Sequence, residues 1–151
     1  MVRHKERVIQ TRLGQKTISQ EKIIYFPHGL IGFEGHREFV LLQIKEGSPF
    51  LILQSMTTPK VGLVVSDPFG FIPDYEVKIG EAEQKILRID NIRQVAVLVT
   101  VSIPAGQPER TSLNLTGPIL VNHQVRRGLQ VPQADPRYSG HFNLHELLPA
   151  K

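Results

Sequence analysis

The clearest metal-like spacing in this chain is His141-Phe142-Asn143-Leu144-His145, followed by Glu146. On a helix, residues four apart share one face, so two imidazoles could converge there. The arrangement nevertheless lacks the HExxH order and a third ligand, and it reads as a polar tail rather than a metal site. His28 and His36 flank a glycine turn and His123 lies in a strand-like run. Histidines so placed read as polar surface or hydrogen-bonded structure.

Nucleophilic and acid–base chemistry fare no better. Ser55, Ser66, Ser102 and Ser112 are present, but none lies in a G-x-S-x-G elbow. Asp67 and Asp74, near Tyr75, could form a carboxylate pair, yet Asp-Pro and Pro-Asp are ordinary turn dipeptides. The three glycines of GLIGFEG, Gly29, Gly32 and Gly35, fit neither a dinucleotide fingerprint nor a Walker loop. They suit a corner that needs positive φ. That corner carries Leu30, Ile31 and Phe33, either as a buried plug or as a surface for a partner. Arg126-Arg127 before Gly128 reads as an exposed turn rather than a phosphate site. No metal, cofactor or catalytic constellation assembles.

A different chemistry is written in DPFGFIPDYE, residues 67–76. Phe69, Phe71, Ile72 and Tyr75 alternate with prolines and are bracketed by acids. Rigid aromatic anchors with charges at the rim compose a protein-interaction surface. A tight loop that folds its aromatics into the core has the same composition, and both readings stand.

The elements that position these residues are short and β-like. Apolar runs at 7–13, 16–19, 22–26, 38–44, 50–56, 61–65, 75–79, 93–103, 111–115, 119–125 and 128–131 are separated by turn residues. Several are continuously apolar, as strands covered on both faces are. One helix is expected at 80–88, with Glu81 and Glu83 near its positive end and Arg88 near its negative end. Eleven prolines and twelve glycines spread between strands complete the pattern of a mainly β, single compact antiparallel β-barrel-like domain with one or two short helices. A chain of 151 residues suits one domain.

With no cysteine, disulfides and thiolate chemistry are excluded. The opening residues lack an apolar signal core, and no run is long enough to span a bilayer, so a cytoplasmic protein without membrane contact is expected. The net charge is +4. It resides in residues 1–16, where Arg3, Lys5, Arg7, Arg12 and Lys16 face Glu6 alone. The rest is balanced, and residues 61–90 are acidic, which argues against direct nucleic-acid binding. The basic start reads as solvated surface.

Six blocks in order then resemble the FliW family of bacterial flagellar assembly factors. They are FPHGLIGFEG (26–35), EFVLL (38–42), PFLILQS (49–55), VVSDPFGFIPDYE (64–76), VAVLVTVSIP (95–104) and TSLNLTGPILVN (111–122). The similarity runs from about residue 7 to about residue 139. The resemblance implies a compact β-barrel-like fold and no catalysis. It implies two protein partners, flagellin and CsrA, a small dimeric RNA-binding regulator that represses flagellin translation. Unexported flagellin would occupy the protein and leave CsrA free; once flagellin is secreted, the released protein would bind CsrA, away from its RNA-gripping surface, and relieve repression.

The acidic stretch is where this sequence would supply charge that expels RNA, through Asp67, Asp74, Glu76, Glu81 and Glu83. Leu30, Ile31, Phe33, Phe69, Phe71 and Tyr75 complete the expected protein-binding set, on a chain that is a monomer when free. Two features depart from the family: the sequence pI is near 9.6 where members are commonly acidic, and HFNLHELLPAK forms a tail with helical character. The competing readings are a flagellin chaperone that ignores CsrA, a small β-barrel enzyme built on Asp67, Asp74 and a histidine, and an RNA binder using the basic start.

Overall fold

The computed structural model describes residues 5–144, and they are mainly β. A hairpin of β1 (Glu6–Thr11) and β2 (Gly14–Ser19) forms its own two-stranded sheet. The main sheet follows with β3 (Ile24–Tyr25), β4 (Glu38–Gln43), β5 (Phe50–Ser55) and β6 (Gly62–Ser66). Helix α1 (Glu81–Leu87) precedes β7 (Val95–Ser102), β8 (Ser112–Leu113), β9 (Ile119–Asn122), β10 (Arg127–Gln130) and β11 (Phe142–Asn143).

The strands β3–β4–β5–β6–β7–β9–β10 pair around a closed ring. Adjacent pairs are antiparallel except where β3 meets β10 in parallel, through Tyr25 and Arg127. The expected antiparallel pairing holds at every ring seam but that one. β3 thus stands between β4, its antiparallel neighbour, and β10, whose Arg127 lies 102 positions after Tyr25. Strand β7 splits its edge: Val95–Leu98 pair with β9, and Val101–Ser102 pair with β8, which carries β11.

Ring strands that alternate between two covered faces must be apolar on both, which is what the continuous apolar runs provide. Ile24, Phe39, Leu53, Val65, Leu98, Ile119 and Val121 point inward, joined by Phe26 and Leu30 from the corner after β3. Phe26 and Phe39 meet edge to face, with centroids 5.3 Å apart. Where β10 passes this pair it contributes Gly128, because a Cβ there would overlap the Phe26 ring.

Three covers close the outer face. The β1–β2 hairpin lays Ile18 on Val40 and Leu42 of β4. Its seating uses polar pins: the Arg12 N–H donates to Gln54 Oε1 at 3.0 Å, and Arg12 Nη1 donates to the Gly62 carbonyl at 2.6 Å. Arg12 is therefore a structural clasp as well as solvated charge. Helix α1 lays Leu87 on Leu120 and Leu129. The segment between β6 and α1 lays Tyr75 on Val99, Val101, Leu113 and Leu115.

Residues 75–79 do not form a strand, contrary to the alternation of YEVKI. Tyr75, Val77 and Ile79 do turn toward the core clusters, but side chains replace the backbone ladder. Tyr138 Oη accepts from the Glu76 N–H at 2.9 Å, and Gln133 Oε1 accepts from the Lys78 N–H at 2.9 Å. The expected strand at 119–125 stops at Asn122, whose side-chain oxygen accepts from Gln124 N and turns the chain. The tail expected as a helix begins instead with β11; residues 145–151 lie outside the described residues.

Candidate protein-binding surface

The glycine corner is built as a turn on a turn. Phe33 N donates to the Leu30 carbonyl at 2.7 Å across Ile31 and Gly32, and Gly32 has φ +88°. A positive φ at the third residue is the requirement of a type II turn and selects glycine. Gly29, at φ +64°, has a second reason: a Cβ would press on the Phe33 carbonyl and on the Glu34 backbone at 2.7 Å. The corner therefore separates its apolar residues. Leu30 is fully buried in the ring, Phe33 packs partly against the same core, and Ile31 projects with 60% of its surface exposed. Leu30 is a core residue and is withdrawn as a surface contact, since its side chain fills the ring beneath the turn.

The Ile31 N–H donates to Gln130 Oε1 at 2.9 Å, and Gln130 Nε2 donates to the Gly117 carbonyl at 2.9 Å. One glutamine thus ties the corner to the 114–118 loop. The aromatic segment is tied to the same loop: Tyr75 Oη donates to the Leu115 carbonyl at 2.6 Å. Burial pushes the Tyr75 phenol up to about 12, with Tyr138 and Asp135 adding to the shift. Tyr75 is buried and packs edge to face on Tyr138 at 4.7 Å. It is an anchor for the segment and is corrected from surface contact to core.

The remaining residues of this segment divide. Phe71 is half-buried and stacks toward Phe50 at 6.5 Å. Phe69 keeps 40% of its surface exposed. Asp67 uses its carboxylate to cap the short 3-10 turn Pro68–Gly70, accepting from Phe69 N at 2.9 Å, which is an N-cap role rather than that of a catalytic acid. Asp74 is exposed, and its carbonyl receives Tyr138 Oη at 3.5 Å.

Glu76 is exposed and pairs with Arg137 at 3.2 Å, while Arg137 also grips Asp135 at 2.8 Å. Hydrogen bonds from the Arg137 side chain and backbone hold the Asp135 carboxyl down to about 2. The first turn of α1 adds exposed Glu81 and half-buried Glu83. One pinned segment from Asp67 to Glu83 therefore carries five carboxylates and an exposed phenylalanine. Arg137, Tyr138, Gln130 and Gln133 organise this surface from downstream positions. Only their polar types close to prolines or glycines mark them in the sequence.

His141 precedes β11 and donates its backbone N–H to Ser139 Oγ at 2.9 Å, so it stands on no helix; His145 and Glu146 lie outside the described residues. Among the described residues, no three or more His, Asp or Glu side chains gather as a metal site. None of the described helices is long and apolar enough to cross a membrane.

Comparison with known proteins matches residues 7–144 to the family model described as FliW protein. A flagellar assembly factor FliW of Nitratidesulfovibrio vulgaris is 59% identical over 145 residues, covering 96% of this chain and 84% of the relative. The Bacillus subtilis FliW is 38% identical over 133 residues, covering 87% and 92%. A crystal structure of the flagellar assembly factor FliW superposes with a TM-score of 0.86 at 33% identity, covering 96% of this chain and 99% of the other.

Proposed function

This chain belongs to the FliW family of flagellar assembly factors, and from that premise we propose that it is a non-enzymatic partner switch that binds flagellin and CsrA. Held by accumulating flagellin, it leaves CsrA free to repress flagellin translation. Released as flagellin is exported, it binds CsrA and lifts the repression. Both partners are met in the cytoplasm, by a protein that is a monomer when free and acts as one FliW-like domain across residues 1–151.

The observation that carries this reading is the pinned acidic segment. Asp67, Asp74, Glu76 and Glu81 are exposed on a stretch whose backbone is fixed by Tyr75, Tyr138 and Gln133. An RNA binder holds its ligand by neutralising phosphates. Carboxylates held rigidly beside that basic surface repel the phosphates it grips, and rigidity lowers the entropy cost of presenting them. Ile31 and Phe69 supply exposed apolar anchors.

The test is calorimetric titration with CsrA and with flagellin from the same genome, singly and in competition. Binding to both, with flagellin displacing CsrA, is the expected result. Binding to flagellin alone reduces the protein to a flagellin chaperone. Binding to neither rejects the proposal.

A further inference from the structure

A cavity of about 410 Å³ opens between the β1–β2 hairpin and the outer face of β4, away from the acidic segment, which covers β6–β8. Its lining combines two cations, Lys22 and Arg126, the backbone of residues 17–19 of β2, and an apolar floor that includes Ile18 and Val40.

Arg126 is unusual in three ways. It sits at φ +56°, a conformation in which a non-glycine residue is strained, and in which glycine would be at ease. Its Nη2 donates to the Lys22 carbonyl at 2.6 Å, yet its Nε is buried with no hydrogen-bond partner. Neither Arg126 nor Lys22 forms an ion pair with any described residue, and the nearby Glu38 is engaged by Arg7 at 3.4 Å. Burial accordingly lowers the Arg126 pKa. A partly desolvated cation with no ion-pair partner among the described residues is costly, and the chain holds it there at further backbone cost. The expected exposed turn at Arg126-Arg127 is corrected for Arg126, which is half-buried and lines this cavity.

We propose that this cavity is a carboxylate-binding site for an acidic peptide segment of a partner protein. The carboxylate would lie between Lys22 and Arg126, and an adjoining aliphatic side chain would lie on Ile18 and Val40. The planar fork of arginine suits a carboxylate. The apolar floor distinguishes this ligand from inorganic phosphate or a nucleic-acid backbone, which would bring no apolar group to cover it. The carboxylate can come from a chain terminus or from an Asp or Glu side chain.

The experiment is an ¹H–¹⁵N NMR titration of the full chain with four probes. They are N-acetyl-Leu-Leu with a free C-terminus, N-acetyl-Leu-Glu-Leu amide, N-acetyl-Leu-Leu amide and inorganic phosphate. Saturable shifts at Thr17, Ile18, Ser19 and Arg126 with at least one acid probe, about tenfold weaker with the uncharged amide, are expected. Which acid binds better identifies terminus or side chain. Arg126→Gly should lose that binding while its melting temperature stays at or above that of the parent, since glycine relieves the backbone. Lys22→Ala, at an exposed position, should weaken binding without altering the fold.

Equal affinity for acid and amide overturns the proposal. So does phosphate matching the acid probes, or acid binding unchanged in both variants. Charge reversal of Asp74 and Glu81 should leave these shifts intact, so failure of the CsrA reading and failure of this one are distinguishable.

Discussion

Ile31 and Gln130, 99 residues apart, are joined by a single hydrogen bond of 2.9 Å from the backbone of one to the side chain of the other. Because Gln130 also receives no slack from the loop it holds at Gly117, the most exposed apolar residue of the corner is presented on a fixed mount. A mount of this kind separates presentation from folding. Ile31→Ala should leave stability within about 0.5 kcal/mol of the parent. If Ile31 is an anchor for flagellin or CsrA, the same change should weaken that complex by about tenfold, read by calorimetry. Gln130→Ala should weaken binding as well, through loss of the mount, and should also lower the melting temperature.

The Tyr75–Leu115 hydrogen bond is expected to be mainly structural. Tyr75→Phe leaves the Leu115 carbonyl buried without its donor and should cost about 1–2 kcal/mol in denaturant unfolding. The phenol also sets an alkaline limit. Its folded-state pKa, pushed up to about 12, lies above the ordinary value of 10.0. The stability it confers is therefore complete below pH 10 and declines as pH rises from 10 toward 12. Tyr75→Phe should remove that part of the decline, seen by comparing unfolding midpoints across this window.

The Arg137 fork acts at the opposite end of the pH scale. Asp135 titrates at about 2 instead of 3.8. A depressed carboxyl contributes stability above pH 3.8 that is lost as pH falls toward 2. Carbon-detected NMR of the Asp135 carboxyl should show a midpoint near 2, and Arg137→Gln should return it toward 3.8. The same variant frees Glu76 from its 3.2 Å pair, so it raises the net negative charge of the acidic segment. It should strengthen association with a basic partner while loosening the local fold.

Gly128 tests the ring itself. A methyl group there would overlap the Phe26 ring, which is itself fully buried in the core. Gly128→Ala should destabilise by about 2–3 kcal/mol, lowering the melting temperature by about 5–10 °C. Pairing it with Phe26→Leu should recover part of the loss, because the smaller side chain gives back the volume.

These residues also mark how far the sequence could be read. Runs such as EFVLLQI and FLILQSM announce β4 and β5 because they are apolar on both faces over most of their length, although the buried Gln54 and Ser55 interrupt the second. The alternation of YEVKI was equally real, with Tyr75 and Val77 turned inward, yet it could not disclose that Tyr138 and Gln133 side chains would stand in for a partner strand. Gly128 reads as the first residue of the run GLQV after two arginines; its reason, the Phe26 ring, lies 102 positions earlier. Within DPFGFIPDYE, composition alone could not sort Phe69, which is exposed, from Tyr75, which is buried. Sorting them required knowing that Leu115 would pass within 2.6 Å of the phenol oxygen. Long-range polar pins leave little local pattern, and most of the candidate surface is built from them.

The charge of the acidic segment gives the most direct test of the switch. Reversing Asp74 and Glu81 to lysine changes two exposed positions whose carboxylates hold no described hydrogen bond or ion pair, so the fold should be kept, at a cost of about 0.3–1 kcal/mol for the lysine at the start of α1. Glu76 is less suitable alone, since its reversal sets a lysine against Arg137. If carboxylates on this segment displace RNA from CsrA, the double variant should require at least about tenfold more protein to release a flagellin transcript in a gel-shift competition. The parent's own advantage should shrink between 50 and 300 mM salt, since screening shortens the reach of exposed charge to less than about 10 Å. Unchanged release by the double variant, with CsrA still bound, would place the displacing chemistry elsewhere. Loss of CsrA binding altogether would show that these carboxylates hold the partner rather than repel its RNA, and the salt dependence of CsrA affinity itself would then carry the effect.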